Sequence, residues 1–250
     1  MEIQSIWGLE MRRDAFPVIL LAMVLTFAGL VEFVPIGDST ETRFTPTLPS
    51  VISSDTEISS DYILDNTTIE SGATLTLLPG AVIHGKYDSH LYVEGDLVVN
   101  GTLAEMVQFR RWSASPSWGG ITVNLTGSAS MENFTMQDVK GRVISLENSR
   151  SSLIKNGYIN GGDYGIFVQE SRESHDIHDL FLEDQGNFGL VFGLSEVPMI
   201  VRNILINDST SGAVGMEGCG NLTFSNITTN NPGIYHVYLI SSKRITFIDF

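Results

Sequence analysis

The chain has 250 residues, 42% of them hydrophobic, and a formal net charge of −15. That length and apolar content support one sizeable core and exclude global disorder. The negative field excludes nucleic acid and anionic membrane surfaces as partners, and a single cysteine, Cys219, excludes an intrachain disulfide framework.

The first predicted element is a targeting segment over residues 1–35. Arg12 and Arg13 precede an apolar run from Ala15 to Val31, and Glu32, Asp38 and Glu41 come after it. A positive flank before an apolar helix directs the downstream chain to the outside of a membrane. The run is compatible with a cleaved signal peptide or an uncleaved signal-anchor helix, since it is a little shorter than the roughly 20 residues of a full span. Both place the rest of the chain at the cell surface or outside the cell. Residues 36–60, rich in Thr, Ser, Pro and acids, are expected to form a polar linker.

From residue 61 onward a repeat of about 23 residues takes over. Asn133, Asn156, Asp179, Asn203, Asn226 and Asp249 each come after an apolar residue and a variable one. They are spaced 23, 23, 24, 23 and 23 apart. A second landmark, Gly141, Gly165, Gly189, Gly212 and Gly233, runs in parallel and mostly opens short apolar stretches such as Gly165-Ile166-Phe167-Val168. These stretches are β-branched or aromatic, lack a 3.6-residue period and lack a leucine-rich framework. The expected fold is therefore all-β, a parallel β-helix whose coils stack because none can bury its inner face alone. The Asn/Asp positions are expected to form a buried ladder along the axis, and the glycines to mark corners of positive φ. Phe247-Ile248-Asp249-Phe250 falls inside a coil. The expectation is that the natural protein continues beyond it, or that this coil frays or pairs.

The stretch Ser71–Ile83 resembles the opening coil of right-handed parallel β-helix surface proteins, as does Val93–Leu103. Val107-Gln108-Phe109 and then Trp118-Gly119-Gly120-Ile121 are similar to a coil of the same proteins. The resemblance, to the pectin-lyase-like superfamily, covers about residues 60 to 250. It implies a right-handed helix and a range of roles: polysaccharide lyases and hydrolases, epimerases, adhesins and surface proteins. The Asn-Thr-Asp, Asp-Asp and Gly-His-Gly signatures of its hydrolases are missing, as is a lyase-like arrangement of acids with a base.

Several residues are candidates for chemistry. Asp163, Asp184 and Asp208 fall in a turn of successive coils and are a candidate Ca²⁺ site, hard cations requiring several oxygens; the plainer alternative is a solvated acidic turn. No other cofactor is expected. Tyr158 and Phe181 fall two residues past the ladder, in the row continued by Leu205 and Thr228. An outward aromatic pair there suits a sugar ring or a partner protein. Lys155, His178 and Arg202 form a basic strip rather than a ligand set. His175 has no ligand partner at metal spacing, and Cys219 is expected to be a buried thiol. Sequons occur at Asn66, Asn100, Asn124, Asn207 and Asn221 and, within the ladder, at Asn133 and Asn226. The five outside the ladder are the glycosylation candidates.

Two functions stand as expectations. One is an exported, non-enzymatic module for structure, adhesion or binding of a polysaccharide or surface glycan, or of another envelope protein. The alternative is an extracellular polysaccharide-active lyase or glycoside hydrolase.

Overall fold

The computed structural model describes residues 45–250 apart from Ala114; the apolar segment expected near the N-terminus lies outside the described residues. In the described part, 21 strands form two sheets, one of nine strands and one of twelve. Every strand pairing is parallel, each strand lying beside its counterpart one coil away. This is the expected solenoid, of about eight turns, with no helix among the described residues.

One coil illustrates the rest. Tyr164–Gln169 lies in the nine-stranded sheet, a turn comes next, and Asp176–Glu183 lies in the twelve-stranded sheet. Phe188–Gly193 then begins the next coil. The long strand bends at Asp179, which has φ +55°. Its two halves therefore face different directions, and each coil has three sides.

The core is built from stacked columns of inward side chains. Ile154, Ile177, Val201 and Phe224 form one, and Ile159, Leu182 and Ile206 another; all are fully buried. Each such side chain contributes about 1.5–3 kcal/mol by leaving water. The Trp-Gly-Gly motif has a specific packing role. Trp118 is fully buried, stacks on Phe109 at 6.2 Å and donates its indole N–H to the Gln137 carbonyl at 2.9 Å. A Cβ at Gly119 would lie 2.2 Å from the His90 ring, and Gly120 turns the chain at φ +95°.

Three expectations need correction. The solenoid begins before residue 61: Val51–Ile52 and Thr56–Ile58 are paired strands, and Ile52 and Ile58 point into the core at 2% exposure. Positive φ does not fall mainly on the glycine landmark but on the Asn/Asp one, at +52° for Asn133 and Asn156 and +55° for Asn203. Asn and Asp tolerate this left-handed corner because their short polar side chains bond locally. Gly189 and Gly212 serve close packing instead; Cβ atoms there would meet Ile206 Cγ2 at 2.7 Å and Phe188 Cε1 at 2.5 Å. Finally, the ladder is mostly half-buried, only Asn133 being buried. Asn203 Nδ2 donates to Asp179 Oδ1 at 2.8 Å, and Asn226 Nδ2 to Asn203 Oδ1 at 2.9 Å. Asn133 turns instead to the Gly101 carbonyl, and Asn156 to Glu132.

Candidate functional site

Alternation along a strand sends every second residue outward, so the outer faces can be read column by column. On the nine-stranded sheet one outward column runs Arg142, Tyr164, Phe188, Gly212, Tyr235. The next runs Ser145, Phe167, Val191, Gly215, Tyr238, and a third Glu147, Gln169, Gly193, Glu217, Ile240. Each column thus loses its side chain at a glycine, and the three glycines lie on two adjacent coils, Gly193 on one and Gly212 and Gly215 on the next. The result is a hollow of about 370 Å³ with aromatic walls.

Phe188 lies across its floor. A Cβ at Gly212 would come within 2.5 Å of the Phe188 ring, and one at Gly215 within 3.4 Å. Tyr164 and Phe167 meet edge to face at 5.8 Å on one side, and Tyr238 is 6.3 Å from Phe188 on the other. The Arg142 guanidinium sits 3.6 Å from the centre of the Phe167 ring and is paired with Glu147 at 2.6 Å. Glu217 is exposed, lines the hollow, and makes no side-chain hydrogen bond or ion pair with a described residue. Half-buried rings around a shaped depression, with carboxylate and amide groups at one edge, can stack a flat apolar ring face and hydrogen-bond its polar edge.

Tyr158 and Phe181 do share an outward column with Thr135, Leu205 and Thr228 on the twelve-stranded sheet. Their rings lie 5.2 Å apart and are tilted by 33°. The Tyr158 hydroxyl donates to Glu183 Oε2 at 2.6 Å, and burial, with that carboxylate, holds its pKa above the ordinary value. This pair is a smaller platform with its polar handle already engaged.

The three aspartates of the candidate Ca²⁺ site are not brought together. Asp184 and Asp208 occupy equivalent corners, with φ +60° and +54°, but Asp163, in the corresponding turn one coil earlier, stands further along it, just before Tyr164 and beside Gly186 and Asn187. Asp184 accepts from Asn160 and Asp208 from Asn231. Among the described residues no group of three His, Cys, Asp or Glu side chains is placed to hold a metal.

The basic strip is in register as expected but is neutralised: Lys155 pairs with Glu132 at 3.0 Å, and Arg202 with Asp176 at 2.6 Å. His178 Nδ1 lies 2.6 Å from Asp179. His175 is buried, accepts the Ser152 N–H at Nδ1 and contacts Ser171 Oγ at Nε2, and burial depresses its pKa to about 4. Cys219 is buried, which raises its thiol pKa. It stands in a column of turn serines, Ser171, Ser195 and Ser242, whose regular spacing in the sequence is the signal that could have found them.

Of the sequons, Asn100 is exposed with no side-chain bond to a described residue, and Asn66 is exposed with only its Oδ1 engaged, by the His90 N–H. Asn207 accepts from Asn230, Asn221 donates to the Glu196 carbonyl, and Asn124 has its Oδ1 buried.

A family model described as a right-handed beta helix region matches residues 97–249. The chain belongs to the right-handed β-helix family. The matched span includes the whole aromatic hollow and every ladder residue of this β-helix. Neither curated proteins nor solved structures gave a match.

The hollow was legible in the sequence only in part. Phe167 and Val191 lie in the apolar stretches that Gly165 and Gly189 open, and alternation sends both outward. What forms the depression is side chains missing from Gly193, Gly212 and Gly215, a signal that appears only when coils are aligned side by side.

Proposed function

We propose that this chain is an exported, non-enzymatic surface module that binds saccharide in the hollow of its nine-stranded sheet. The observation that carries this is the ring set Tyr164, Phe167, Phe188 and Tyr238 around a glycine floor, with Gln169 and Glu217 at the edge. Sugar rings present flat C–H faces to aromatic rings and hydroxyls to such polar edges. Parallel coils about 4.8 Å apart give the face a repeating geometry suited to an extended chain ligand.

A binding role is favoured over catalysis by the spacing of the acids. Glycoside cleavage by paired carboxylates uses separations of about 5–9.5 Å. Glu147 and Glu217 are three coils apart in one column, about 14 Å at the strand spacing, and Glu147 is held by Arg142. Export is supported by the Arg12–Arg13 pair before the apolar run, with the acids after it. That segment would hold the module at a membrane or direct its secretion. Carbohydrate attached at Asn100 or Asn66 is compatible with their exposure.

The test is affinity electrophoresis of the full-length chain, in neutral detergent, through gels containing different polysaccharides. Retardation by at least one is expected, with Phe188→Ala and Tyr238→Ala each weakening it about tenfold. Loss in Tyr158→Ala and Phe181→Ala instead would move the site to the twelve-stranded sheet. Release of reducing or unsaturated ends would overturn the non-enzymatic role.

A further inference from the structure

Resting on that reading, we propose that the hollow selects saccharides carrying a positive charge, amino sugars with a free ammonium group, over neutral or acidic ones. One ring of the hollow already carries a cation on its face: the Arg142 guanidinium, beside the hollow, lies 3.6 Å from the Phe167 ring centre. The negative face of a ring attracts cations, and more so where water is partly excluded, as around the half-buried Phe167 and Phe188. Three further rings, Tyr164, Phe188 and Tyr238, surround the adjoining space.

The charges at the rim point the same way. Arg142 adds no net positive charge, because Glu147 neutralises it at 2.6 Å and also accepts from Ser145 at 2.7 Å. Glu217 is the unpaired ion among the lining residues, and its neighbour one coil earlier in the column is Gly193, which leaves the space beside it open. An ammonium group there faces a carboxylate on one side and aromatic faces on the other. An acidic sugar would bring its charge to Glu217 uncompensated, in a protein of net charge −15. The aromatic set supplies stacking, and Glu217 supplies the choice of charge.

The experiment is isothermal titration of the full-length chain with three oligosaccharides of equal length: β-1,4-glucosamine, its N-acetylated counterpart and neutral β-1,4-glucan. The glucosamine oligomer is expected to bind about tenfold more tightly than the other two, with the preference shrinking as salt is raised. Glu217→Gln should remove most of that preference, bringing the affinity for the glucosamine oligomer down towards that for the other two. Glu57→Gln, an exposed acid outside the hollow, should leave the preference intact; an equal loss there would reduce the effect to the overall field and overturn the proposal. Equal affinity for the three oligomers would also overturn it while sparing the saccharide-binding role. Binding to none of these or to any other polysaccharide would overturn both.

Discussion

Asn203 donates from Nδ2 to Oδ1 of Asp179 at 2.8 Å while both residues hold the left-handed conformation, φ +55° for each. The same Asn203 accepts from Asn226 on the next coil. One side chain therefore bends its strand and ties three coils together. Asn203→Leu places a residue poorly suited to positive φ at the corner, about 1–2 kcal/mol, and strands two polar partners. Loss of about 2–4 kcal/mol in chemical denaturation is expected from the two effects together. Asn203→Gly relieves the backbone part alone and should recover about 1 kcal/mol of it. Equal stability of the Leu variant and the parent would refute the ladder's role.

His175 connects burial to pH. Its Nδ1 accepts the Ser152 N–H, which only the neutral ring can do, and burial depresses its pKa from 6.5 to about 4. A depressed histidine favours the neutral form in the folded state. Stability is therefore fully present above the unfolded value of 6.5 and declines as the pH falls towards 4. The loss is on the order of 3 kcal/mol by the linkage relation. His90, also depressed by burial, adds in the same direction. His175→Gln should flatten the decline in melting temperature between pH 6.5 and 4; an unaltered slope would remove His175 from the account.

Gly193 offers a way to close the hollow without disturbing the fold. Its backbone has no positive φ, and a Cβ there meets only Gln169 Cγ, at 3.8 Å. Gly193→Leu should fold normally, since a leucine suits the strand better than glycine by a few tenths of a kcal/mol. It should also abolish saccharide binding by filling the space beside Glu217. Retained binding with an unchanged melting temperature would place the ligand elsewhere.

Cys219 occupies a serine's place. Ser195 and Ser242 donate their hydroxyls to the carbonyls of Gly193 and Ile240 two residues back, and the Cys219 thiol does the same to Glu217 at 3.4 Å. Its own N–H donates to Ser242 Oγ. Cys219→Ser should change stability by less than about 1 kcal/mol, because the smaller hydroxyl makes a stronger bond in compensation for lost apolar volume. In the native protein the thiol should resist labelling by a water-soluble reagent, and rapid labelling would contradict its burial.

The period of the chain and the identity of the ladder are properties of the sequence alone. A residue type recurring every 23 or 24 positions, at Asn133, Asn156, Asp179, Asn203 and Asn226, implies identical coils, and identical coils stack. Alternation then decides that Tyr158 and Phe181 face the side opposite Ile159 and Leu182, because strand geometry has a period of two whatever surrounds it. The tertiary structure decided the rest. Whether a ladder amide reaches its neighbour or turns aside, as Asn133 does to Gly101, depends on small differences in position between coils. Asp163 leaves the company of Asp184 because the turns differ locally in path. The hollow arises from Gly193 on one strand and Gly212 and Gly215 on the next, each ordinary where it stands. Only stacking sets those absent side chains beside one another, with Phe188 laid across the gap, and that adjacency lies perpendicular to the direction in which a sequence is read.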